Sequence, residues 1–182
     1  MENDELRQKM PRCGILNPMR DFFLLDRKRT AYHEAGHAVM AHLCGQRVVS
    51  VEILGDEDLS GSVSTLSLGT DSTSSPAMEL RILCLLAGQV AESLCFSRVM
   101  DRHAKEDVDA AVRLALKLVS APEEVMPYLE NAQAEVARLL RREWEIVEDL
   151  VAALLRNPVL EGEVLRHILA HCPLGEEKRA VS

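Results

Sequence analysis

Two histidines stand four positions apart in TAYHEAGHAV, residues 30–39, and a glutamate directly follows the first of them. In a helix with about 3.6 residues per turn, His33 and His37 lie on one face and can bind one metal ion together. Glu34 lies about 100° around the helix from His33. Its carboxylate can therefore reach a water molecule on that metal without being a ligand itself.

This arrangement suits hydrolysis by a zinc-activated water molecule. Zinc acts as a Lewis acid and lowers the pKa of its water to about 7. A carboxylate can then accept the proton as the water attacks an amide carbonyl. We predict His33 and His37 as zinc ligands and Glu34 as the catalytic base. The alternative is a helix that carries this pattern by chance and binds no metal.

A hydrolytic zinc site has three protein ligands and one open position. The metzincin pattern would place Gly three residues and His six residues after the second histidine, where this chain has Met40 and Leu43. The third ligand must come from farther along the chain, and spacing alone does not choose it. The candidates are Glu52, Glu57, Glu92, Asp101, His103, Asp107 and Asp109.

The motif needs a helix, and apolar periodicity predicts one from Phe22 or Asp26 to Cys44, ended by Gly45. Two alternating segments, residues 47–54 and 62–68, predict a small hairpin. A buried central helix is predicted over residues 77–96, which are apolar around most of the helix circumference.

Three further helices are predicted toward the C-terminus. The first covers residues 105–120, where Asp107 is near the start and could serve as an N-cap. A long amphipathic helix runs from about Leu129 to Leu155, and a short one from about Glu161 to His171. The fold class is therefore mainly α with a small β-hairpin or sheet.

Composition predicts one packed domain. Of the 182 residues, 47% are hydrophobic and 3% aromatic, which favours helix over sheet. We expect the domain at residues 21–172, between a flexible arm at 1–20 and a polar tail at 173–182. The net charge of -8 argues against binding to nucleic acid.

The apolar runs, the N-terminus and the cysteines indicate where the protein is located. No apolar run reaches the roughly 18 residues that a membrane-spanning helix needs, and the charged N-terminus does not resemble a secretory signal. Five scattered cysteines without a Cys-x-x-Cys pair indicate reduced thiols. The sequence predicts a cytoplasmic protein without membrane insertion.

Four stretches resemble the FtsH-type proteases, which are membrane-associated, ATP-dependent metalloproteases. The stretch RKRTAYHEAGHAV resembles their zinc-site helix, and LLAGQVAESLCF resembles their second signature. Their third signature is similar to HAKEDVDAAVRLALKLV, and their C-terminal end is similar to LVAALLRNPVLEGEVLRHIL. The order and rough spacing match over about residues 26–170.

The resemblance implies the fold of the FtsH peptidase domain and a zinc-dependent endopeptidase that acts on unfolded or flexible polypeptide segments. It implies His33 and His37 as ligands, Glu34 as base and Asp107 as the third ligand. Glu92 is expected near the site as a partner that orients a ligand, although a buried ion pair or cap is the alternative. His103, at a position where the family has glycine, is a spare ligand.

The departures from the family define the alternatives. The sequence contains no Gly-x-x-x-x-Gly-Lys-[Ser/Thr] phosphate loop, and Ser93 replaces a second glutamate. We therefore expect a stand-alone relative that lacks the ATPase and membrane segments. A separate ATPase partner and a homo-oligomer are both kept as possible interactions of this chain. One alternative function is a non-catalytic, zinc-stabilised binding or regulatory domain, and another is a helical interaction protein without metal.

Overall fold

A computed structural model describes residues 18–53, 61–66, 73–96 and 101–172, with side chains described from Leu24 and, in the last range, from Lys105. The α-helices within these ranges are α1 (Pro18–Leu43), α2 (Ser75–Cys95), α3 (Asp101–Ala115), α4 (Val125–Arg142), α5 (Trp144–Arg156) and α6 (Gly162–Ala170). The strands are β1 (Arg47–Ile53), β2 (Gly61–Leu66) and β3 (Val159–Glu161). They form an antiparallel sheet in the order β2-β1-β3, which confirms the mainly α prediction with a small sheet.

Helix α1 runs through the core, and its small residues let α2 approach closely. A Cβ atom at Gly36 would lie 2.6 Å from the carbonyl oxygen of Ala87 and 2.6 Å from Cβ of Ala91. Both distances are far below van der Waals contact, so only glycine allows this approach. The close contact sets α2 directly against the face of α1 that carries the histidines.

The end of α1 and the hairpin follow the sequence prediction. Gly45 has a φ of 75°, which a residue with a side chain rarely adopts, and the chain turns there into β1. The third strand was not predicted, because three residues are too few to show an alternating pattern. It pairs with β1 through Val51 and Leu160, both of which are buried.

Three predicted helices were wrong in their bounds. Helix α1 begins at Pro18 and not at Phe22 or Asp26, so residues 18–20 of the expected arm belong to the helix. Helix α3 begins at Asp101 and ends at Ala115, so Asp107 lies inside the helix and is not its N-cap. The long helix predicted from Leu129 to Leu155 is two helices with a break at Glu143. Neither proline nor glycine marks this break, and the buried Glu143 carboxylate accepts a hydrogen bond from Nε of Arg142 at 2.6 Å.

The break has a packing reason. Helix α4 packs against α2, whereas α5 packs against α1. A change of direction between them lets each apolar stripe reach its own partner. Periodicity continues across the break because both helices bury apolar residues.

Parts of the sequence prediction lie outside the described residues. These parts are residues 1–17 of the expected arm and the whole expected tail at 173–182. Within the described part of the chain, no helix combines the length and the apolar character needed to span a membrane.

Candidate metal centre

Side chains from α1 and α3 meet at one point beside α2. His33 and His37 project from α1, and the only other side chain in this cluster, that of Asp107, comes from α3. In the described part of the chain, this is the one group of three potential ligand residues whose ligand atoms lie within 4.8 Å of one another. His33 is 3% exposed and His37 16%, while Asp107 is 26% exposed and borders solvent.

The distances between the ligand atoms suit a small divalent ion. The two Nε2 atoms of His33 and His37 lie 2.9 Å apart. Oδ2 of Asp107 lies 3.1 Å from Nε2 of His37 and 3.4 Å from Nε2 of His33. Tetrahedral zinc with bonds of about 2.0–2.1 Å requires about 3.3 Å between ligand atoms. The three residues can therefore hold zinc after shifts of a few tenths of an ångström.

Hydrogen bonds on the far side of each ring determine which nitrogen faces the cluster. Nδ1–H of His37 donates to the carbonyl oxygen of Cys84 at 2.7 Å, and Nδ1–H of His33 donates to Oε1 of Glu92 at 2.8 Å. Carbonyl and carboxylate oxygens accept only, so each neutral ring carries its proton on Nδ1. Both Nε2 lone pairs then point toward Asp107, as metal ligation requires.

The electrostatics of the cluster favour a cation at its centre. Burial alone would raise the pKa of Asp107, but when a proton on Nε2 takes the place of a metal ion, hydrogen bonds from His33 and His37 lower it well below its usual range, so the carboxyl is ionised. Burial would lower the pKa of His33, but hydrogen bonds to Asp107 and Glu92 raise it to about 9. A proton on His33 relieves the repulsion between converging lone pairs, and a metal ion would do the same.

Glu34 lies beside the cluster and is not part of it. Its side chain is 4% exposed, and burial raises the pKa of its carboxyl against the opposing effect of His37 and His33. Gly61, the first residue of β2, lies directly against this side chain. A Cβ atom at Gly61 would be 2.6 Å from Oε1 of Glu34 and would collide with its Cγ.

A second glycine forms the wall of the ligand cluster on α2. A Cβ atom at Gly88 would lie 2.5 Å from Nε2 of His33 and 2.5 Å from Nε2 of His37. Any side chain at this position would occupy the space in which the two histidine nitrogens converge. The ligand atoms and the space between them therefore fit a metal ion.

The other candidate ligands lie elsewhere or outside the described residues. Oε1 of Glu52 accepts a hydrogen bond from Oγ of Ser62 at 2.8 Å on the sheet. Asp109 is exposed on α3 and is not in the cluster. Glu92 contacts Nδ1 of His33 and is completely buried, so it lies where an orienting partner would lie. Glu57 and the side chains of Asp101 and His103 are outside the description.

Sequence reasoning missed the two glycines, the Cys84 carbonyl and an anchor on the back of α1. Tyr32 donates a hydrogen bond to Oε1 of Glu148 at 2.8 Å and stacks on Trp144 with ring centroids 5.8 Å apart. Only Gly88 left a signal in the sequence, because glycine inside an apolar helix costs about 1 kcal/mol and needs a packing reason. The other contacts join residues too far apart in the chain to be foreseen.

Comparison with known proteins identifies a family and several relatives that match this chain. The model of a family described as Peptidase family M41 matches residues 24–122. An ATP-dependent zinc metalloprotease FtsH from Opitutus terrae is 33% identical over 98 residues, which is 52% of this chain and 16% of that protein. The ATP-dependent zinc metalloprotease FtsH 4 of Sorangium cellulosum is 26% identical over 200 aligned positions, 86% of this chain and 31% of that protein.

A third relative, the ATP-dependent zinc metalloprotease FtsH of Leptotrichia buccalis, is 25% identical over 180 aligned positions. The match covers 80% of this chain and 23% of that protein. Each of the three alignments thus spans less than a third of the relative's length.

Proposed function

Because the chain belongs to peptidase family M41, we propose that it is a zinc-dependent endopeptidase that hydrolyses peptide bonds in unfolded or flexible polypeptide segments. His33, His37 and Asp107 hold the zinc, and Glu34 is the catalytic base. One observation carries the proposal. Three ligand atoms converge within 3.4 Å of one another beside a buried carboxylate that is not among them.

The chain's own residues supply proton transfer and orientation. When bound, zinc supplies the Lewis acidity that makes water a nucleophile at neutral pH. Glu34 accepts the proton of the attacking water and returns it to the amine nitrogen that leaves. Burial raises the pKa of its carboxyl, which makes the carboxylate a stronger base for accepting this proton. Glu92 and the carbonyl of Cys84 hold the two imidazoles in the tautomer that ligation needs.

Strand β2 offers a way to position the substrate. It pairs with β1 on one side, and its other edge has no partner strand among the described residues. Gly61 places this strand against Glu34. A polypeptide that pairs with the open edge would lie extended beside the catalytic base. Folded substrates cannot offer such a segment, so we propose that unfolded chains are cleaved.

Location and partners are part of the same proposal. The described cysteines Cys44, Cys84, Cys95 and Cys172 are free thiols, which supports a reducing, cytoplasmic environment. The relatives are named ATP-dependent, and we propose that cleavage of stably folded proteins by this chain needs a separate ATPase. A homo-oligomer stays a prediction, and light scattering tests it.

The test compares wild type with Glu34→Gln, which preserves size and removes the base. Both proteins should take one equivalent of zinc with high affinity, and only wild type should cleave an unfolded casein substrate. Proteolysis is followed by release of labelled peptides. Equal behaviour of the two proteins would reject catalysis, and melting on zinc removal would then favour the non-catalytic, zinc-stabilised domain.

A further inference from the structure

A second pair of histidines with the same spacing lies on α6, outside the candidate metal centre. His167 is in the last turn of α6 and His171 follows directly as its C-cap. Their ring centroids are 5.0 Å apart with an interplanar angle of 85°. The corresponding values for His33 and His37 are 4.6 Å and 72°. The ring separation and interplanar angle of the two pairs are therefore similar.

The tautomer of His171 is also determined by its backbone. Nδ1–H of His171 donates to the carbonyl oxygen of His167 at 2.9 Å, just as Nδ1–H of His37 donates to a carbonyl oxygen in the candidate metal centre. The neutral ring of His171 thus keeps its lone pair on Nε2. The backbone of His171 has φ -79° and ψ -10°, which is close to helical and continues the face on which His167 lies.

A carboxylate lies one turn before the pair. Glu163 precedes His167 by four residues, and both border one open surface depression of about 630 Å³. Glu163, His167 and His171 are all exposed, so solvent and ions can reach them. Arg166 also borders the depression, and its Nε donates to the carbonyl of Gly162 at 3.1 Å.

We propose that α6 carries a second site for a divalent transition-metal ion, with His167 and His171 as the protein ligands and Glu163 contributing only through a bridging water. Imidazole ligands select zinc and copper over magnesium and calcium, and copper binds such sites more tightly than zinc. The site is weaker than the one at His33 because its side chains are exposed and its ligands are not buried with a paired carboxylate. It therefore fills second.

Occupation of this site would stabilise the C-terminal turn of α6. A metal ion that joins His167 to His171 links the last turn of α6 to its C-cap residue. Leu165 and Leu169 of the same helix are buried in the core. Metal bound to the folded helix and not to the unfolded chain must raise the melting temperature.

The experiment titrates zinc into the metal-free full chain by calorimetry, with His171→Ala and Arg166→Ala as a matched pair of exposed changes around one helix. Wild type and Arg166→Ala should each show a tight and a weaker class of zinc-binding site, with one equivalent of zinc bound in each class. His171→Ala should keep the tight class and lose affinity in the weaker class by more than about tenfold. A single class in wild type, or an unchanged weaker class in His171→Ala, would overturn the proposal.

A second measurement needs no variant of α6. Copper added after one equivalent of zinc should broaden the ring-proton NMR signals of His167 and His171 before those of His42. Broadening that begins at other histidines would reject the site.

A His33→Ala variant should lose the tight class of zinc site and retain the weaker class. This outcome separates the α6 site from the proposed peptidase function, because either can fail without the other.

Discussion

Oε1 of Glu92 lies 2.8 Å from Nδ1 of His33, and both side chains are buried. A buried carboxylate is costly unless it is paired, and its contact with His33 contributes to offsetting the cost of burial. The contact fixes the proton of His33 on Nδ1 and increases the basicity of Nε2. This hydrogen bond joins α2 to α1, and it sets the orientation of the His33 ring on which metal binding depends.

Two replacements of Glu92 distinguish its hydrogen bond to the His33 ring from the negative charge of its carboxylate. In Glu92→Gln the amide oxygen can still accept the hydrogen bond, so zinc affinity should fall by about tenfold, whereas Glu92→Ala should lose up to about a hundredfold. Competition with a chromophoric chelator measures both. Ser93→Ala is the control, because its hydroxyl donates to the carbonyl of Val90 and not to the site. Wild-type affinity in Glu92→Ala would contradict the role.

Gly88→Ala should lower zinc affinity and leave the free energy of unfolding almost unchanged, whereas Gly36→Ala should lower the free energy of unfolding. In Gly88→Ala the new methyl group would collide with both Nε2 atoms, so zinc affinity should fall by more than about a hundredfold. The metal-free protein should unfold within about 1 kcal/mol of wild type, since alanine favours helix and the ring ends can shift. Chelator competition and urea unfolding measure the two quantities.

Gly36→Ala is the matched comparison on α1. Its methyl group would lie 2.6 Å from the backbone oxygen of Ala87, which cannot move without shifting α2. The free energy of unfolding should fall by about 1–3 kcal/mol in the metal-free protein. If both glycine variants lose stability equally and retain zinc affinity, the assignment of Gly88 to the metal site is wrong.

Gly61→Ala should impair catalysis and leave the metal in place. The added methyl group would displace Glu34, and a misplaced base costs up to about a hundredfold in kcat. Zinc affinity should match wild type because the three atoms nearest to a Cβ at Gly61 all belong to Glu34, which is not in the ligand cluster. Ser64→Ala, an exposed change in the same strand, is the control for peptide hydrolysis. Unchanged kcat in Gly61→Ala would show that β2 does not position the base.

Stability should decline in alkali through Cys172. Burial, with the negative charge and hydrogen-bond acceptance of Glu143, raises the pKa of the Cys172 thiol from 9.0 to about 12. The unfolded chain therefore loses this proton first, and the free energy of unfolding falls as pH rises between about 9 and 12. Cys172→Ala should show a shallower decline in urea titrations at pH 8 to 11. Identical slopes would exclude this contribution.

The local features could be predicted from the sequence. The 3.6-residue period placed His33, Glu34 and His37 on one helix, and the positive φ of Gly45 ends that helix as predicted. The hairpin followed from alternation, and the mainly α fold followed from composition. These features depend on hydrogen bonds and side-chain spacing within a few residues, which a single stretch of chain determines.

Tertiary structure decided the rest. Residue spacing alone left seven candidates for a third ligand, and Asp107 was singled out only by resemblance to a family. In the fold its carboxylate lies 3.1 Å from a histidine 70 residues earlier because α3 packs against α2. The break at Glu143 and the contacts of Gly61 and Gly88 arise in the same way. Such distances depend on how helices and strands pack, and no periodic pattern within one element encodes them.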